Sequence, residues 1–145
     1  MKSKLKKTAA GYLIQFFVTT VLLMSISLMM NGMYLLGIPD VSQVQKVTIL
    51  DSKMGNEMKE ITDDENIELA VSLTGFLKYS VFEKYDGNDE PQITITYFLS
   101  DGSEISVSAS RKTVWWKGKA HALKDNGSFI KMAEGIFFLE ESVKE

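Results

Sequence analysis

From Thr8 to Met30 no residue is charged and most are apolar. No other feature constrains the fold of this chain as strongly. A helix needs about 20 such residues to cross a bilayer's hydrocarbon core, and this run supplies them. Lys2, Lys4, Lys6 and Lys7 stand just before it with no acid among them. Basic residues beside a span stay on the cytoplasmic side. The reading is therefore a basic cytoplasmic tail (1–7), a transmembrane helix (8–36) and an extracytoplasmic domain (37–145), anchored in the cell membrane by a single pass. A cleaved signal peptide is the rival. It has the same basic start but a shorter apolar region and a small-x-small exit. Here the run is long, and its nearest imitation of such an exit, Ser25-Ile-Ser27, lies inside it. A buried core helix fits less well, because every face is apolar. Gln15, Thr19, Thr20, Ser25 and Ser27 are isolated polar residues, tolerated in an anchor or available to a partner helix.

Charge separates the rest of the chain from this segment. Beyond residue 38 there are 12 basic and 19 acidic residues, a net of −7. Phosphate binding needs clustered Lys and Arg, so an acidic main domain argues against nucleic acid as a partner. The chain has no cysteine. That excludes disulfides, thiol catalysis, Cys-ligated metals and lipid attachment at a lipobox cysteine.

Gly37-Ile38-Pro39-Asp40 ends the helical pattern, since Pro lacks an N–H. In "VSQVQKVTIL", Val47 and Ile49 alternate against Lys46 and Thr48, the mark of a strand. "DSKMGNEMKE" is polar around a central glycine, a loop or hairpin. "TDDENIELAVSLTGFLKYSVF" reads as a helix capped by Thr62 or Asp63, with Leu69, Leu73, Phe76, Leu77 and Val81 as its core stripe. "EKYDGNDEP" is turn-rich. "QITITYFLSDGSEISVSAS" has two alternating runs around Asp101-Gly102, a tight hairpin. "KTVWWKGKAHALK" is a further strand with a bulge position at Gly118. Ser128 is the expected cap of a last helix with Phe129, Met132, Ala133, Ile136 and Phe137 facing the core. The expectation is an α+β domain of order β-α-β-β-β-α, an antiparallel sheet with helices on one face.

At this hairpin and at "TVWWKGKAHAL…GSFIKMAEGIFF", with "IPDVSQVQKVTI" (Ile38 to Ile49) opening the outer domain, the chain resembles an uncharacterised family of low-GC Gram-positive bacteria. Its members are small proteins with one N-terminal membrane helix and an extracytoplasmic domain. The resemblance covers nearly the whole outer domain. It implies an anchored α+β domain and carries no known activity.

Candidate chemistry is sparse. His121 is the only imidazole, and neither a nucleophile elbow nor a zinc-protease motif accompanies it, so a strand histidine is the simpler account. Asp86-Gly87-Asn88-Asp89-Glu90 faintly resembles a calcium loop, but Pro91 interrupts it and all its residues are turn formers. Asp63-Asp64-Glu65 suits the positive end of a helix dipole. Asn126-Gly127-Ser128 matches a glycosylation acceptor, although a turn and a cap explain it as well. A hydrolase would need two converging carboxylates, which no motif announces. The chain reads as no enzyme, with no cofactor and no metal.

The two tryptophans divide by strand alternation. Trp116 falls on the Val114 side, which is the core, under a helix near Phe76 or Phe137. Trp115 falls with Thr113 and Lys117 on the other side. There it joins Thr94, Thr96 and Phe98 together with Ser106, Ser108 and Ser110. Unless the loop at 51–60 or a terminus covers it, Trp115 is an exposed ring among hydroxyls, a platform for a sugar or a protein surface. The candidate contact residues are Trp115, Lys117, Phe98, Thr96, Ser106 and Ser108. The functional expectation is a non-catalytic binding module for a cell-envelope protein or glycan. The alternative is an immunity or regulatory protein acting on an exported toxin or a membrane partner.

Overall fold

The computed structural model describes residues 2–125 and 127–138, with side chains from Thr8 onward. Helix α1 runs from Lys2 to Asn31. Its segment Thr8–Asn31, 24 residues, is long and apolar enough to cross a membrane, and none of its apolar window is buried against the rest of the chain. At 1.5 Å per residue that segment spans about 36 Å, more than a hydrocarbon core. Thr19, Thr20 and Ser25 each donate a hydroxyl to the carbonyl four residues back, at 2.8 to 2.9 Å. Their hydroxyls are thus satisfied within the helix itself.

The helix stops at Asn31, not at Leu36. Gly32 takes φ 71°, and its N–H donates to the Leu28 carbonyl at 2.9 Å. A glycine in the left-handed region is a standard helix stop, acting here before Pro39 is reached. A Cβ on Gly32 would sit 2.8 Å from the Tyr79 carbonyl oxygen and 2.7 Å from Lys124 Cγ. The residue is therefore fixed as glycine both by conformation and by contact.

Strand β1 (Met33–Tyr34) follows at once and pairs with β4 (Lys78–Tyr79). Asp40 then caps a short 3-10 turn at Val41–Gln43 by accepting from the Ser42 N–H and hydroxyl. The main sheet has six antiparallel strands in the order β3-β2-β5-β6-β7-β8. These are β2 (Val44–Asp51), β3 (Glu57–Ile61), β5 (Ile93–Leu99), β6 (Glu104–Ala109), β7 (Thr113–Trp116) and β8 (Lys119–Ala122). Helices α2 (Asp64–Gly75) and α3 (Ser128–Phe137) complete the domain.

The α+β class and the antiparallel sheet are as expected; the element count is larger. "DSKMGNEMKE" forms a true hairpin, with Gly55 and Asn56 at positive φ in its turn. "KTVWWKGKAHALK" is two strands, because Lys117 (φ 49°) and Gly118 (φ 74°) make a two-residue turn instead of a bulge. Two consecutive left-handed residues match the twist of a tight hairpin. At the β5–β6 turn the loop is one residue longer than the simplest hairpin: the Gly102 N–H bonds to the Leu99 carbonyl, and Gly102 has φ 85°. Asp101 accepts from Ser103 through both backbone and hydroxyl, and those bonds hold its carboxyl below the usual carboxylate range.

The core lies between one sheet face and the two helices. Val47, Ile49, Ile93, Ile95, Tyr97 and Val107 meet Ile67, Ala70 and Leu73 of α2 and Phe129, Ile130 and Phe137 of α3. The α2 stripe is rotated from the expected one. Leu73 and Leu77 are buried, but Leu69, Phe76 and Val81 are exposed. The helix also ends at Gly75, because Lys78–Ser80 are drawn into backbone pairing with β1 and with the end of β8. Asp63, not Thr62, caps α2 by accepting from the Asn66 N–H at 3.0 Å. At α3 the N-cap position is Gly127, and the Asp125 carboxylate two residues earlier accepts from the N–H groups of Ser128 and Phe129, while Ser128 is the first helical residue. Asn126, the suggested glycosylation acceptor, lies outside the described residues. Lys59 reaches from β3 to the Phe137 carbonyl at 2.7 Å and neutralises the negative end of α3.

Candidate functional site

Pairing register determines what the uncovered face of the sheet displays. Met58, Leu50, Thr94, Ser108, Trp115 and Ala120 stand side by side across all six strands. One step along, Thr48, Thr96 and Ser106 form a second row, and beyond it come Lys46, Phe98 and Glu104. Alternation puts all of these opposite the core residues. Thr96, Ser106, Ser108, Phe98 and Trp115 are thus brought onto one face, as expected.

Lys117 is not with them. Its left-handed backbone turns the side chain back toward the segment that follows α1, where Nζ lies 5.6 Å from the Trp116 ring centroid. A Cβ built on Gly37 would meet that same Nζ at 2.6 Å. Ser110 and Thr113 also leave the face. Both are buried, and both bond to Asp89 of the connector that follows β4. Partial burial pushes the Asp89 carboxyl up, but the hydrogen bonds from Ser110, Thr113 and the Glu90 N–H, with the charge of Lys112, carry it net below the usual range.

The same connector decides how open Trp115 is. Tyr85 packs edge-on against it with centroids 6.0 Å apart, so Trp115 is half-buried. The cover comes from residues 81–92, not from the 51–60 hairpin. Asp86 accepts from the Asn88 N–H at 3.1 Å, an ordinary Asx turn, and Asp89 is committed to Ser110. Among the described residues, no three His, Cys, Asp or Glu side chains converge on a point where a metal ion would sit.

The hydroxyls of the face bond in pairs: Thr94 with Ser108 at 2.8 Å, and Thr96 with Ser106 at 2.9 Å. Each pair uses one O–H internally and leaves one donor and several lone pairs free. Lys46 Nζ lies 4.7 Å from the Phe98 ring centroid and 3.3 Å from Glu60. The face thus offers flat aromatic and aliphatic surface, two hydroxyl pairs and one ion pair. Such a set can hold a polyhydroxylated or peptide surface.

Trp116 is core, with a partner different from the expected helices. Its ring N–H donates to the Leu36 carbonyl at 3.1 Å, so it fastens the segment leaving α1 to the sheet. His121 lies on the side opposite Trp115 and stacks on Tyr79 with centroids 4.5 Å apart.

Sequence reasoning missed a cavity of about 510 Å³ between the end of α2 and the start of α3. Tyr34, Phe76, Phe129 and Met132 line it, with Lys78 and Lys124. The surplus of apolar residues in α2 was its only sequence signal. No family model, no curated protein and no solved structure matches the chain.

Proposed function

We propose that this chain is a single-pass membrane protein, with its N-terminal lysines in the cytoplasm and its domain outside as a non-catalytic binding module for an envelope protein or glycan. One observation carries the reading: helices cover a single face of the sheet, and the other face bears no helix and displays paired hydroxyls in register, with Phe98 and a half-buried Trp115 beside them. Alignment of Thr96–Ser106 and Thr94–Ser108 beside Phe98 and Trp115 supports a sugar-bearing or peptide partner. A self-protection role through an intramembrane partner draws no support from α1, whose Thr19, Thr20 and Ser25 hydroxyls bond to their own helix.

Orientation is tested with single cysteines, because the native chain has none. In intact cells an impermeant maleimide labels Asp101→Cys and spares Ser3→Cys; the reverse pattern rejects the topology. Binding is tested by photo-crosslinking from positions 98 and 115. The same envelope protein or glycan is captured from both, and capture falls when Thr96 and Ser106 are replaced by lysine. Capture unaffected by those changes rejects the face as the site.

A further inference from the structure

The cavity between α2 and α3 abuts the point where the chain leaves the bilayer. Tyr34, on its rim, lies three residues past the last residue of α1, at most about 10 Å of extended chain. Lys124 touches both places: it lines the cavity, and its Cγ would crowd a Cβ on Gly32. The rim is apolar and exposed, with Phe76 70% and Met132 43% accessible.

Charge around this exit is opposite to that of the rest of the domain. Lys78 and Lys124 line the cavity, and Lys117 and Lys119 line a second one together with Leu36. The one acidic residue lining either cavity is Asp125, whose carboxylate already accepts from two helix N–H groups. Glu83 stands 3.8 Å from Lys124, a long and solvent-screened pair. Lys78 Nζ lies 4.5 Å from the Tyr34 ring centroid. Aromatic rings beside lysines at the end of a span match the composition of a headgroup layer.

We propose that this cavity seats an anionic phospholipid of the bilayer that holds α1, with its acyl chain against Phe76, Phe129 and Met132 and its headgroup between Lys78 and Lys124. The proposal rests on reading α1 as a membrane anchor. The domain then lies down on the membrane at this end, and its open sheet face stays free.

The test uses the full chain with Phe76→Cys carrying a spin label, in vesicles of phosphatidylcholine alone or of phosphatidylcholine and phosphatidylglycerol in equal amounts. Met58→Cys is the reference, an exposed site on β3, five strand spacings and about 24 Å across the sheet from β8. In the anionic vesicles the label at 76 is reached by membrane-dissolved oxygen and shielded from a water-soluble nickel chelate, and the label at 58 shows the reverse. Replacing Lys78 and Lys124 by glutamine lowers the docked-to-free ratio about fivefold per lysine. A label at 76 as wet as that at 58, or a depth indifferent to both lysines, overturns the lipid seat. Protein that does not float with the vesicles overturns the anchor as well, so the two failures are distinguishable.

Discussion

Hydroxyl groups occur on both faces of the six-stranded sheet under opposite conditions. On the covered face Tyr97 is fully buried; its hydroxyl donates to the Ala70 carbonyl at 2.8 Å and lies 2.5 Å from Thr74 Oγ1. Burial pushes its phenol well above the usual range against the opposing Thr74 bond, so the group stays neutral. On the open face Thr96 and Ser106 make a similar contact in the presence of water. The covered pair ties α2 to β5 in a medium where a lost partner is costly. The open pair contributes little to stability and remains available for recognition. Substitutions on the covered face should therefore register in unfolding, and those on the open face in binding.

That contrast can be broken at graded strength. Ile95→Ala, at a fully buried position between sheet and helices, should cost about 2–5 kcal/mol in urea unfolding of the full chain. Gly32→Ala forces a left-handed alanine against the Tyr79 carbonyl and should cost about 1–3 kcal/mol, read as faster proteolysis after α1. Tyr97→Phe should cost about 1–2 kcal/mol by depriving Thr74 and Ala70 of a buried partner. Thr96→Val should stay within about 0.5 kcal/mol in the same melts while weakening capture from position 98. A loss above 2 kcal/mol there would put the open face among the structural surfaces and remove the contrast.

Acid adds a finer probe. The folded-state pKa of Asp89 is depressed, so its ionised form favours the folded chain. That contribution is present above the unfolded carboxylate value of about 3.9 and is lost as pH falls through the lower folded value. Wild type should therefore lose more stability than Asp89→Asn between pH 5 and pH 3. Equal slopes would show that the connector is held by other contacts.

Several elements were legible because one local force decided them. The uncharged run sets α1, and the alternation around Asp101-Gly102 sets β5 and β6. The faces of Thr96, Phe98, Ser106, Ser108 and both tryptophans follow from the period of two. Other features depended on competition between distant segments. Leu69 and Phe76 are as apolar as Ile67 and Leu73, and hydrophobicity alone cannot separate a core face from a rim beside the helix exit. Lys117 offers no turn signal, since the left-handed conformation is uncommon for lysine, and only its pairing with Gly118 makes the tight hairpin. Tyr85 sits in a polar connector, and nothing local announces that it covers Trp115. The early stop of α2 likewise reflects backbone bonds that β1 and β8 offer to Lys78–Ser80.

The stitching at Gly32, β1–β4 and the Trp116–Leu36 bond has a consequence for how such a protein would meet a partner. A ten-residue flexible tether lets a domain wander with a root-mean-square reach of about 17 Å. Here Gly32 alone separates α1 from β1, so a domain carried on a membrane-spanning α1, as proposed above, could not sweep a volume above its anchor. On that reading, encounter would depend on sideways diffusion of the whole molecule, and only surfaces presented at one height and one tilt would engage it.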